Sequence, residues 1–355
     1  MIDFSKIPRD DNESSSGESD RKEASASPID FSSLKYKKKT PEDKKPSSTP
    51  FKKDTSCPQE SNLQDRTPEA KKMYEEAVSY AEKIFQSGPA TKINVNGIID
   101  IVRKFIDFIG SGAQEFLDFV FSKNSWGVHY LSLKSVNGCV FALEVGLWMG
   151  FKKEELSTLG VASFLHDIGL RAYLDRLTQS DRLEAAECEA IKQHTLEGVE
   201  ILQKIKKDID PSILEIIGQT YERIDGSGYP KGIKGDDINT LAQVIGLADV
   251  YETLTHDRPY RVHYSPLEAM RIILNSKNSF NPKLVKLFLE KIGLYPRGTM
   301  VELNTKEVAR VIQHNPSIPL APRIKVVYDS QRKKLEEPRQ IDLSDNPTIY
   351  ITKCL

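Results

Sequence analysis

Paired cysteines are missing from this chain. Its four cysteines (Cys57, Cys139, Cys188 and Cys354) stand far apart, with no Cys-x-x-Cys unit. That excludes a disulfide framework and a thiolate metal knuckle, and it fits a reducing compartment. Also missing is any apolar run near the roughly 20 residues needed to cross a bilayer. The opening Met1-Ile2-Asp3-Phe4-Ser5-Lys6-Ile7-Pro8 lacks the basic-then-apolar layout of a secretory signal, so a cytoplasmic location is expected. Charge of one sign is absent as well: 50 Lys and Arg face 51 Asp and Glu, for a net charge of -1. No bulk electrostatic case then exists for a nucleic acid or a membrane surface, and neither is expected as a partner.

What is present falls into three kinds of sequence. Residues 1–67 are rich in Ser, Lys, Asp, Glu and Pro, with too little apolar surface to offset the entropy of ordering, and they read as a disordered arm. Within it, Ile2-Asp3-Phe4-Ser5 recurs as Ile29-Asp30-Phe31-Ser32. The echo is read either as a pair of docking segments for a protein partner or as chance in a biased sequence. The cluster of Lys35, Lys37, Lys38 and Lys39 reads as a solvated patch.

From Thr67-Pro68, taken as an N-cap and first-turn proline, helical periodicity sets in. Residues 68–125 form an N-terminal helical region and 126–294 a second helical domain. Helices are expected through Met73–Ile84, Ile98–Ile109, Phe116–Phe121, Val136–Leu147, Leu156–Leu165, Glu184–His194, Leu196–Ile205, Ser212–Tyr221 and Leu241–Thr255. Further starts are signalled by Ser265-Pro266-Leu267-Glu268 and Asn281-Pro282. Residues 295–355 change character. Met300–Leu303, Val308–Val311, Ile324–Tyr328 and Thr348–Ile351 read as short strands of a small β-rich extension.

The chemistry concentrates in a few segments. His166-Asp167, at the end of an apolar helix, offers an imidazole nitrogen and a carboxylate to one divalent cation. The run Tyr221-Glu222-Arg223-Ile224-Asp225-Gly226-Ser227-Gly228-Tyr229-Pro230 is more specific. It is followed by Ala248-Asp249-Val250-Tyr251 and Asp257-Arg258-Pro259-Tyr260-Arg261, and preceded by Lys192-Gln193-His194. Over about residues 100–300 this pattern resembles the HD-GYP phosphodiesterases of the HD superfamily. The segment Tyr295–Leu303 resembles the β extension that many members carry.

The resemblance implies an all-α HD-superfamily bundle and a bacterial cyclic di-GMP phosphodiesterase whose two or three iron or manganese ions activate water. Carried over by position, the metal ligands are His166, Asp167, His194 and Asp249. Arg258 and Arg261 fall near the substrate phosphates, and the signature loop is Asp225, Gly226, Gly228, Tyr229 and Pro230. Other family positions are altered. A helix-borne histidine falls on Lys134, two consecutive histidines fall on Thr220 and Tyr221, and a lysine falls on Leu170.

An ammonium has donors and no lone pair, so Lys134 cannot ligate unless deprotonated. Threonine and tyrosine replace imidazole poorly toward iron or manganese. Two buried carboxylates without metal are costly, which suggests Lys134 as their internal partner. The expected function is therefore a degenerate, non-catalytic HD-GYP-like signalling protein. It would act as a cyclic di-GMP receptor or as a protein-interaction module working through the arm or the signature loop. The alternative is an active phosphodiesterase with a reduced, mononuclear site, in which Asp167 is catalytic. Arg258 has a second reading as a structural ion pair.

Overall fold

The computed structural model of the chain describes residues 66–86, 93–121, 130–179, 184–205, 209–258, 262–276 and 278–355. The expectations placed on the arm and on Arg261 lie outside these residues.

Three helices come first: α1 (Thr67–Gln86), α2 (Val95–Gly110) and α3 (Glu115–Val120). Thr67 is the first helical residue and not its cap, since the Ala70 amide donates to the Arg66 carbonyl at 3.0 Å. Six residues cannot hold α3 by propensity alone, because nucleation costs more than so few bonds return. Packing holds it: the Phe116 ring lies 4.5 Å from Phe105 and 4.8 Å from Phe108, centroid to centroid.

The central element is α4 (Tyr130–Trp148), which buries fifteen of its residues. A helix with apolar residues all round belongs inside, and α4 touches α1, α2, α5 (Lys153–Leu165) and later helices on its several sides. After α5 the chain tightens into a 3-10 turn at Ile168–Tyr173. The helices α6 (Leu174–Leu177), α7 (Ala185–Lys192), α8 (His194–Gln203), α9 (Pro211–Gln219), α10 (Thr240–Thr255), α11 (Pro266–Asn275) and α12 (Pro282–Ile292) complete the body.

The start signals at Ser265-Pro266 and Asn281-Pro282 act as written, and Asp210 and Asn239, not singled out in the sequence, cap their helices in the same way. Asp210, Asn239, Ser265 and Asn281 each accept an amide hydrogen of their own helix, and Pro211, Pro266 and Pro282 occupy first-turn positions.

Five antiparallel strands follow: β1 (Met300–Leu303), β2 (Val308–Gln313), β3 (Arg323–Tyr328), β4 (Lys334–Asp342) and β5 (Ile351–Cys354), in the order β4-β3-β2-β1-β5. Two details differ from the sequence expectation. The last strand starts at Ile351 and not Thr348, and β4 was not anticipated at all. Its residues are largely exposed and carry Lys334, Glu336, Glu337, Pro338 and Arg339, the composition of a protected sheet edge rather than of an alternating strand. Arg297 ties the sheet to α3 by donating to Asp118 at 2.8 Å and to the Ile312 carbonyl at 3.2 Å. The architecture is thus a helical HD fold with a small β-rich carboxyl-terminal extension.

One buried acid lies in the middle of α4. Glu144 is almost fully buried, its Oε1 has no hydrogen-bond partner among the described residues, and burial pushes its carboxyl up to about 8. The folded protein therefore keeps this proton where the unfolded chain, at a pKa of about 4.3, has lost it. That contribution to stability declines as pH rises between the two values and is lost above about 8. In urea unfolding at pH 5, 6.5 and 8, Glu144→Gln should match the parent at the lowest pH and gain on it steadily. Parallel stability curves would show that Glu144 does not titrate in this way.

Candidate functional site

The His166-Asp167 pair sits at the point where α5 gives way to the 3-10 turn. That turn is pressed against the start of α8. A Cβ on Gly169 would lie 1.9 Å from the His194 carbonyl oxygen, so only glycine lets the two segments meet. The close approach brings His194 to the same cluster as His166 and Asp167. Asp249 arrives from α10, Lys134 from α4, and Tyr221 from the turn after α9. All six side chains are buried.

The Lys134 ammonium lies between the two carboxylates. It donates to Asp167 Oδ2 and stands 2.6 Å from Asp249 Oδ1. The other Asp167 oxygen accepts from the Tyr221 hydroxyl at 2.5 Å. His166 donates from Nδ1 to the Ser163 carbonyl at 2.7 Å, which leaves Nε2 facing Asp249 Oδ1 at 3.2 Å and Asp167 Oδ2 at 3.4 Å. His194 is oriented in the same way: Nδ1 donates to the Ile191 carbonyl at 2.6 Å, and Nε2 points toward Asp167 Oδ1 at 3.4 Å. Nε2 of His194 has no good hydrogen bond among the described residues.

The charges follow from these contacts. Burial opposes ionisation of both aspartates, but it is outweighed. His166, Lys134 and His194 hold Asp167 well below the usual carboxylate range, and Lys134 with His166 brings Asp249 down to about 2. Burial likewise opposes the charge on Lys134 and His166, yet the two carboxylates raise both above their ordinary values. The Tyr221 phenol is pushed far up by burial and by Asp167.

His166, Asp167 and Asp249 each offer a ligand atom, all within 4.8 Å of one another, which is the composition of a divalent-cation centre. The donor set suits a cation. As built, however, the position between the carboxylates holds an ammonium, and the outer oxygen of Asp167 holds a phenol. Wild-type residues therefore do not fit a metal without displacing Lys134.

A second buried polar layer lies one helical turn away, where Asn137 and Glu252 follow Lys134 and Asp249 by three residues. Tyr74 of α1 donates to Asn137 Oδ1 at 2.6 Å, and Asn137 Nδ2 reaches Glu252 Oε1 at 3.4 Å. Arg258 donates to Glu252 Oε2, and its guanidinium lies 5.2 Å from the centre of the Tyr130 ring. His256 links this layer to α3, with Nδ1 2.9 Å from the Glu252 carbonyl and Nε2 2.7 Å from that of Val120. The sequence reading overlooked Tyr74, Asn137 and Glu252. Their three-residue spacing from the candidate ligands was the available signal for the last two.

The remaining candidates have structural partners. Arg258 is buried and pairs with Glu252, as its second reading, a structural ion pair, expected. Thr220 is buried and returns its hydroxyl to the Ile216 carbonyl at 3.1 Å, while Leu170 packs into the apolar core. In the signature loop, Asp225 accepts from the Ser227 amide at 2.9 Å, and Glu222 accepts from the amides of Lys231 and Ile233 at 2.7 and 3.0 Å. Gly226 has φ of 80°, and Tyr229 and Pro230 are joined by a cis peptide bond. Tyr229 stacks on Tyr221 with ring centres 5.0 Å apart. A Cβ on Gly228 would lie 2.4 Å from the Arg223 nitrogen and 2.5 Å from the Tyr221 oxygen, so glycine seats the loop on the centre.

With this geometry in view, the comparisons agree with it. Residues 122–284 match the HD domain model, and residues 300–355 match that of the KOW domain associated with HD domain. A cyclic di-GMP phosphodiesterase of Pseudomonas aeruginosa is 29% identical over 213 residues, covering 60% of this chain and 51% of the relative. The 3'3'-cGAMP-specific phosphodiesterase 2 of Vibrio cholerae is 34% identical over 143 residues, covering 40% of this chain and 27% of that protein. The chain thus spans about half the length of the first relative and about a quarter of the second. The solved HDG"Y"P protein of Bdellovibrio bacteriovorus superposes with a TM-score of 0.53 at 22% identity, over 64% of this chain and 73% of that one, a likeness of fold. Residues 122–284 thus carry an HD domain, and the chain is similar to proteins of the HD-GYP type.

Breaking the Arg258–Glu252 pair from one side leaves a buried charge. Arg258→Ala should therefore cost about 3–5 kcal/mol in urea unfolding, and Arg258→Ala with Glu252→Gln should recover much of that loss. Wild-type stability in the single variant would return Arg258 to the list of free, ligand-facing cations.

Proposed function

We propose that this chain is a non-catalytic signalling module of the HD-GYP type, one that recognises a cyclic dinucleotide of the cyclic di-GMP class without hydrolysing it. The observation that carries the reading is the Lys134 ammonium between Asp167 and Asp249. Phosphodiester hydrolysis needs an activated water. A metal activates water by presenting it on an open coordination position, and an ammonium has no such position. A carboxylate acting alone as general base needs a pKa near the working pH. Asp249, held down to about 2, is a poor proton acceptor, and Asp167 is held low by the same neighbours. The ligand class is taken from the relatives, whose names specify cyclic di-GMP and 3'3'-cGAMP. The same fold also suits a protein partner, with the signature loop as the contact surface. Among the described residues no helix is long and apolar enough to cross a membrane, consistent with a cytoplasmic signalling role.

One observation favours the alternative of a working enzyme with a reduced site of iron or manganese. His194 Nε2 is buried, aimed at Asp167 and without a good partner, as a ligand nitrogen would be. The two readings separate in one assay. Protein purified anaerobically and loaded with ferrous iron or manganese should bind cyclic di-GMP by calorimetry and return it intact. Turnover that disappears in Asp167→Ala would establish the enzyme instead. Absence of both binding and turnover would leave the protein-interaction role.

A further inference from the structure

Three donor groups converge on one buried point, the carboxylates of Asp167 and Asp249 and the Nε2 atom of His166, and His194 Nε2 approaches the outer oxygen of Asp167 at 3.4 Å. Each imidazole is held by its Nδ1 on a backbone carbonyl, at 2.7 Å for His166 and 2.6 Å for His194. The rings are thus fixed with the same nitrogen turned inward, and this orientation does not depend on what fills the centre. Both carboxylates also lean on one cation, and that cation arrives on a flexible four-carbon stem from a separate helix. The geometry is a cation seat whose cation is covalently tethered.

We propose that Lys134 is a tethered counter-cation that closes the divalent-cation seat between Asp167 and Asp249, and that cutting the tether makes the cation exchangeable. The inference rests on the non-catalytic reading of the same site and extends it to the ligand the seat would accept. In Lys134→Ala the stem and the charge are both gone. The seat then keeps two carboxylates, the inward nitrogen of His166 and the space vacated by a propylammonium group. A small cation restores the charge, whether a divalent ion (Mn2+ or Zn2+) or methylammonium, which reproduces the lost head group. Asp249→Asn removes half of the negative charge that demands a cation, so the seat should lose its appetite for a dication in the double variant.

The test uses the full chain, with the melting temperature and the metal retained after desalting as readouts. Wild type should retain no stoichiometric Mn2+ or Zn2+, and neither ion should raise its melting temperature. Lys134→Ala should melt several degrees lower, retain about one dication per chain, and be raised in melting temperature by Mn2+, Zn2+ or methylammonium but not by sodium chloride. Lys134→Ala with Asp249→Asn should show no such metal-specific gain. If the alanine variant does not fold alone, refolding with and without Zn2+ or methylammonium decides the matter, and recovery only with the cation is the expected result. The proposal falls if the variant, folded or refolded, is indifferent to all three cations. It also falls if wild type retains one dication per chain. In that case the functional reading still stands or falls separately, on whether the metal-bound protein turns over cyclic di-GMP.

Discussion

Two carboxylates that fold into the same dry space set the terms for the rest of this structure. Asp167 ends one helix and Asp249 lies within another, with ligand atoms no more than 4.8 Å apart. At an effective dielectric constant of about 20, two like charges at that separation repel by roughly 3–4 kcal/mol, before the cost of removing each from water. A bundle that places them there requires a cation. A family built around bound metal would take that cation from solution, whereas this chain carries one on α4. Ammonium and dication can both answer to the same pair of negative charges. What the ammonium does not supply is an open position for water.

The Lys134 centre is not isolated. Residues three positions on along the same two helices, Asn137 and Glu252, form a parallel layer that Tyr74 joins from α1, Arg258 from beyond α10, and the Val120 end of α3 through His256. The helix α3 is in turn held by Arg297, at the entry to the sheet, through Asp118. The amino-terminal helices, the site and the β extension therefore share one set of buried polar contacts. A displacement of α3 would be felt at Glu252, and a turn of helix separates Glu252 from Asp249.

Much of this was legible in the residues. The capped starts at Ser265 and Asn281 were written in side chains that bond their own first turns, so local chemistry sufficed. Lys134 could be suspected as an internal partner because an ammonium cannot ligate and two buried carboxylates cannot stand alone. What was not legible had non-local causes. Strand β4 carries no hydrophobic alternation, because as an edge strand it has little core to face. Arg258 reads from sequence either as a phosphate contact or as a structural ion pair. Only the three-dimensional return of the chain onto Glu252 commits it, and no local pattern records that return. The Tyr221 hydroxyl on Asp167 was hidden for the same reason: a residue judged as a failed ligand proves to be a satisfied donor.

The signature loop has a structural role that its packing makes plain. Tyr221 donates to Asp167 and must be buried to do so. Tyr229 covers it by stacking, and Tyr229 reaches that place because its amide donates to the Tyr221 carbonyl at 3.1 Å and Gly228 admits the backbone beneath. Glu222, between them, accepts two amides from the far side of the same loop. Every signature position named here has work in closing the centre that does not involve a reacting phosphate. The motif therefore reports the enclosure of the site, and it is the identity of the groups facing inward, Lys134 above all, that bears on whether chemistry takes place there.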